Sequence, residues 1–172
     1  MPAIISIGLL LPHRAILLPM QLTLAHIGAR PSARDPLDIL SAGYLARSSI
    51  LAPAQAQAFR TEQALLDSFA RQPSRQPGRT RPLAVLLDSR GRSFTSEAFA
   101  VWLGARRDQG TQHILFAVGP ANGWSPAASQ RADLLLSLGP LTLAHALARL
   151  VLAEQIYRAA TILTGHPYHT GH

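Results

Sequence analysis

The chain is expected to fold as an α/β protein whose mostly parallel sheet is flanked by helices. Short, continuous apolar runs at Leu83–Leu87, His113–Val118 and Leu134–Leu138 have the composition of strands covered on both faces. Segments with apolar residues at helical spacing stand between them, and strands alternating with helices imply parallel pairing. With 172 residues, 48% of them hydrophobic, the chain can bury a core as one compact domain.

The elements follow in order. Gln21–Ile27 reads as the first strand, with Leu22 and Leu24 on one face at period two. Asp35 is placed to cap a helix that has Pro36 at its first position, with Leu37, Leu40, Tyr44 and Leu45 on one side. A second helix is expected to start near Pro53 and to bury Phe59, Leu66 and Phe69. Gln72–Arg81 is a turn-rich polar linker, and the apolar run at Leu83–Leu87 follows it. Thr95–Gln109 reads as a helix with Phe99, Trp102 and Leu103 inward. After the strand His113–Val118 comes a glycine-containing loop, Gly119–Gly123, and Ser125-Pro126 opens a short helix. Leu134–Leu138 is the last strand. The final helix is expected over Thr142–Thr164, closed by Gly165 as a C-terminal cap.

Composition narrows the partners. The net charge of +7 comes entirely from arginine, since the chain has no lysine. Arginine grips phosphate with a planar fork of donors and stacks on bases. A GC-rich coding bias explains the missing lysine but not the excess of base over acid, which points to a polyanion such as RNA. Arg71, Arg75, Arg79, Arg81, Arg90 and Arg92 lie close together with one acid, Asp88, among them, as a phosphate track would. The absence of cysteine rules out a disulfide framework and a thiolate metal site, and suits a reducing cytoplasm. Residues 1–19 are apolar, but their one charge, Arg14, follows the apolar run, unlike a secretory signal. That run also falls short of the ~20 residues that cross a bilayer.

Three loops leave the C-terminal ends of expected strands: Leu87–Gly91, Gly119–Gly123 and Leu138–Thr142. In an open α/β sheet that edge is where ligands bind. None carries a dinucleotide fingerprint or a phosphate-binding loop. Read by composition, they are plain turns. On the last helix His145 and Arg149 share a face, as do Glu154 and Arg158. Glu154–Arg158 reads as an ordinary surface pair, and His145 as a helix-start residue or a catalytic one. The tail holds His166, His169 and His172 at intervals of three without a carboxylate or cysteine, a weak metal signal, and no metal is expected.

The C-terminal segment Ala153-Glu154-Gln155-Ile156-Tyr157-Arg158-Ala159, running on to His166-Pro167-Tyr168-His169, together with Leu138-Gly139-Pro140-Leu141-Thr142-Leu143-Ala144-His145, resembles one family. These are the ribosomal large-subunit pseudouridine N3-methyltransferases, of the knotted SPOUT class. The resemblance runs from about Met20 to His169. It implies a C-terminal trefoil knot, a homodimer in which one subunit's tail completes the other's site, and S-adenosyl-L-methionine as methyl donor. It places that donor on Leu87, Gly119, Leu138, Gly139, Pro140, Leu141, Thr142 and Leu143. It implies active-site or RNA-binding roles for Arg158, Tyr168 and His169, beside His145, with Tyr168 and His169 stacking on or orienting the target base. The implied substrate is N3 of a pseudouridine in 23S rRNA of the assembled ribosome, with no membrane involved. The family's first strand starts at its initiator methionine, so residues 1–19 are expected to be a non-native extension and 20–172 the single domain.

One departure stands out. The family carries two adjacent glycines, a proline and a glutamate where this chain reads Gly119-Pro120-Ala121-Asn122-Gly123, and Pro120 has no amide proton to offer. It motivates an alternative, a non-catalytic ribosome- or RNA-binding protein on the same fold, which would show no saturable uptake of S-adenosylmethionine.

Overall fold

The computed structural model describes residues 20–70 and 81–170. The expectations for residues 1–19, for Arg71, Arg75 and Arg79, and for His172 lie outside the described residues. The five strands are β1 (Gln21–Ile27), β2 (Ala54–Phe59), β3 (Leu83–Ser93), β4 (His113–Val118) and β5 (Leu134–Ser137). They form one sheet in the order β2-β1-β4-β3-β5, and every adjacent pair is parallel. The helices are α1 (Pro36–Arg47), α2 (Glu62–Ala70), α3 (Ser96–Asp108), α4 (Pro126–Arg131) and α5 (His145–Thr164).

Alternation along the strands divides the core in two. Leu22, Leu24, Val85, Ile114 and Phe116 face one side, where they pack with Leu45 of α1, Phe99 and Leu103 of α3, and Leu152 and Ile156 of α5. Ala25, Ala84, Leu86, Leu115 and Ala117 face the other, under Leu65, Leu66 and Phe69 of α2 and Ala128 of α4. Burial on both faces explains the unbroken apolar runs of β3 and β4.

The helix ends follow local chemistry. Asp35 accepts from the amides of Leu37 (2.8 Å) and Asp38 (3.3 Å) at the start of α1, with Pro36 at the first helical position. Ser125 accepts from the Ala128 amide at 3.1 Å at the start of α4. Gly165 closes α5 with φ +69, and the His166 amide reaches back to the Thr161 carbonyl at 2.9 Å.

Four expectations are corrected. The segment after Pro53 is a strand, β2, and the helix follows it at Glu62. Ala54–Phe59 alternates at period two and pairs only with β1 at the sheet edge, so pairing prevails over the helical preference of alanine and glutamine. Leu40 of α1 is 51% exposed, because Ser41 and Leu45 take the inward positions. β3 continues past Leu87: the register with β5 shifts between Leu87 and Arg92, so Asp88–Gly91 bulges out and pairing resumes through Ser93. Gly91 is required there, since a Cβ would come within 2.5 Å of the Leu135 backbone. Finally, α5 starts at His145 rather than Thr142, because Ala144 is still extended with ψ 143°.

Leu103 is fully buried between the sheet and α5. Leu103→Ala is expected to lower the unfolding free energy by about 2–5 kcal/mol, read from urea denaturation. A cost near zero would contradict this packing.

Candidate active site

Parallel strands deliver their exit loops to one edge, where backbone groups are free to meet a ligand. The β3 bulge and the exits of β4 and β5 converge here on a cavity of about 690 Å³, within the usual range for small-molecule sites. Leu87, Gly119, Leu138, Gly139, Leu141, Thr142 and Leu143 line it, with His145 at the start of α5, while Pro140 does not. The three loops singled out in the sequence are thus brought together.

Each loop is shaped locally. At the end of β5 the Ser137 hydroxyl accepts from the Gly139 amide (3.1 Å) and donates to the Gly139 carbonyl (3.2 Å). Gly139 has φ +122, and a Cβ there would meet no protein atom within 4 Å. A larger residue would therefore be strained in its backbone and would project into open space. In Gly119–Gly123 the Gly123 amide donates to the Pro120 carbonyl at 3.0 Å, with Gly123 at φ +82. The turn needs only the carbonyl of Pro120, so it closes despite the departure in sequence.

Trp124 joins two of the loops. Its indole N–H donates to the Leu87 carbonyl at 2.8 Å. Its ring lies against Gly119, where an added Cβ would approach to 2.7 Å. The next residue is braced from α2, since Glu62 accepts from both the amide and the hydroxyl of Ser125.

A polar cluster lies at the start of α5. Arg149 pairs with Asp38 of α1 at 2.9 Å, with side chains only 13% and 10% exposed. His26, at the C-terminal end of β1 and 2% exposed, stands edge-on to His145 with ring centroids 5.7 Å apart. Burial, and then the Arg149 charge, holds the His145 imidazole below the ordinary histidine range. Burial does the same for His26 against the opposing hydrogen bond to Ala29. Both rings are therefore neutral at pH 7.

The remaining candidates stand elsewhere. Glu154 accepts from Arg158 at 2.7 Å and from the Tyr168 hydroxyl at 3.3 Å. The Tyr168 ring lies 4.7 Å from that of Tyr157, with the Arg158 guanidinium 5.2 Å from its centroid. The pair is thus part of a half-buried aromatic cluster, not a free surface pair. Burial, a hydrogen bond with Tyr44 and the Glu154 charge push the Tyr168 phenol up to about 12. His169 lies in the 3-10 turn Pro167–Thr170. Neither Arg158 nor Tyr168 lines the cavity. From His145 to Arg158 the helix rises about 20 Å. Of the arginine cluster, Arg81 is engaged by Asp133 at 2.6 Å and Arg90 by Asp88 at 2.8 Å, while Arg92 lies over Phe94.

Among the described residues no group of three metal-binding side chains occurs, and no helix is long and apolar enough to cross a membrane.

The family described as predicted SPOUT methyltransferase matches residues 20–169, from the residue before β1 into the tail. The chain belongs to the SPOUT methyltransferase family. A relative from Koribacter versatilis named ribosomal RNA large subunit methyltransferase H is 44% identical over 153 residues, covering 89% of this chain and 100% of that protein. A protein of the same name from Brucella ovis is 54% identical over 85 residues, covering 49% of this chain and 50% of that protein. Among solved structures, the SpoU methyltransferase AviRb from Streptomyces viridochromogenes, in complex with AdoMet, aligns with a TM-score of 0.43 and 15% identity, over 82% of this chain and 58% of that chain. This SPOUT methyltransferase has one cavity-lining residue that the sequence did not single out, Trp124, and two that pack behind the start of α5, His26 and Asp38. Their partners are remote along the chain, and no local periodicity marks them.

Gly119→Ala is expected to displace the Trp124 ring and break its bond to Leu87, at a cost of about 1–3 kcal/mol. Near-UV circular dichroism and tryptophan emission check this. Spectra identical to those of the parent protein would show that the ring does not rest on Gly119.

Proposed function

We propose that this methyltransferase uses S-adenosyl-L-methionine to methylate N3 of a pseudouridine in 23S rRNA of the assembled ribosome. We further propose that it does so in the cytoplasm as a homodimer, with residues 20–172 as the working domain and its C-terminal part tied in the trefoil knot expected of the family. The observation that carries this is the cavity formed by the β3 bulge and the exits of β4 and β5, in a chain that spans the whole of a relative named for large-subunit rRNA methylation.

The residues present suit such a donor. A nucleoside without phosphates needs an apolar slot and backbone groups for its base edge, not a phosphate cradle. Leu138, Leu141 and Leu143 supply the first, and the loops held by Ser137 and Trp124 supply the second. Gly139 leaves the backbone open to close approach, while the Cβ side of Gly119 is covered by the Trp124 ring. When bound, the sulfonium supplies the methyl group, and positioning of the acceptor nitrogen supplies most of the rate.

The tail suits the acceptor side. The Tyr168 phenol keeps its proton at neutral pH, so it orients a base rather than taking the N3 proton. Arg158 lies about 20 Å along α5 from His145, with Tyr168 packed against it, which favours delivery of the tail, with His169, to the cavity of a second copy. The arginine excess suits an RNA partner. A domain this small gains shape information from the ribosome, and accessible loop bases are the usual targets of specific RNA recognition.

Incubation of unmethylated ribosomes with labelled S-adenosylmethionine, followed by mass mapping of rRNA fragments, is expected to place label on one large-subunit pseudouridine, with little on naked 23S rRNA. Tyr168→Phe should lower kcat by roughly 10- to 100-fold while donor affinity changes little. Label on protein or tRNA, or none on pseudouridine, would contradict the assignment.

A further inference from the structure

One buried histidine has no part in the reading above. His26 Nε2 lies 2.7 Å from the Ala29 carbonyl. A carbonyl only accepts, so Nε2 carries the proton and Nδ1 is left as a bare lone pair. His145 is hydrogen-bonded to the carbonyls of Val118 and Gly119, which leaves its Nε2 as a second bare lone pair. Both nitrogens are buried without a protein partner.

The groups facing His26 come from two elements. From α5 these are His145, at a centroid distance of 5.7 Å, and Arg149, whose Nη1 is 3.5 Å from His26 Nε2. From α1 it is Asp38, held by Arg149 at 2.9 Å. The strand neighbours in register, Ala58 and Val118, carry no charge. Asp38 and Arg149 cancel, so the two imidazoles set the net charge of this cluster, which reaches the cavity at His145. His145, Val118 and Gly119 belong to the cavity itself.

We propose that His26 is a specificity-determining residue of the methyl-donor slot: packed behind His145, it keeps that side of the slot uncharged, so that a cationic sulfonium is admitted. The proposal rests on the donor reading above. S-adenosylmethionine carries one positive charge more than S-adenosylhomocysteine, the thioether left after transfer. A proton on His26 would add a cation beside Arg149 and the slot, and would weigh against the sulfonium but hardly against the thioether. At intermediate effective dielectric, a unit charge several ångströms away changes affinity on the order of fivefold. Burial and the Arg149 charge keep that proton off at neutral pH.

Calorimetric titration of the full chain with each ligand from pH 7.5 to pH 5 tests this. The S-adenosylmethionine Kd is expected to rise on the order of fivefold more than the S-adenosylhomocysteine Kd. In His26→Gln, whose amide can still donate to Ala29 but does not titrate, that excess should shrink while thioether binding persists. Parallel pH profiles for the two ligands in the parent protein would overturn the proposal, whatever the variant does. An undiminished excess in His26→Gln would also overturn it. Failure of both ligands to bind at pH 7.5 would remove the donor reading and this proposal with it.

Discussion

The 20-residue helix α5 is a rigid rod with two distinct chemical environments, and His145 and Arg158 lie about 20 Å apart along it. At its start, His145 lines the cavity and Arg149 is locked to Asp38. From its middle onward, Glu154, Tyr157 and Arg158 form an aromatic and charged cluster with Tyr168. On the same helix, Leu152 and Ile156 are buried in the core with the sheet and its neighbouring helices. The Gly165 cap then turns the tail back onto α5, where the Tyr168 hydroxyl bonds to Glu154. This placement supports the proposal that the tail serves the cavity of a second copy.

The cavity is a consequence of parallel pairing. Three strand exits meet on one edge because β3, β4 and β5 run the same way. What makes the loops a fixed surface is a few side-chain bonds: Ser137 to Gly139, Trp124 to Leu87, and Glu62 to Ser125. The Gly119–Trp124 contact illustrates the constraint. The ring can lie over the backbone only where no Cβ intervenes. The altered sequence of that loop is tolerated because the turn draws on the Pro120 carbonyl, a group every residue has.

Much of this was legible in the sequence. The bounds of β1 and β4, the caps at Asp35, Ser125 and Gly165, and the convergence of three exit loops all follow from rules that act within a few residues. β2 was misread because alanine and glutamine favour helices, although Ala54–Phe59 alternates as a strand does. The bulge after Leu87 depends on the register with β5, which no local window contains. The same holds for the candidate site. Leu87, Gly119 and Leu138–Leu143 stood out as loop positions, whereas His26 meets Arg149 and Trp124 meets Leu87 only because the sheet and α5 bring them together. In the predicted arginine track, Arg81 pairs with the remote Asp133, whereas Arg90 pairs with Asp88 two residues away.

Mixed-dimer complementation tests most directly the claim that α5 separates two half-sites joined only between copies. One chain would carry Gly139→Val in the donor slot and the other Tyr168→Phe in the tail. Each variant alone should methylate ribosomes poorly, and an equimolar mixture refolded together should regain activity through dimers that pair one intact slot with one intact tail. A mixture no more active than its parents would contradict the account.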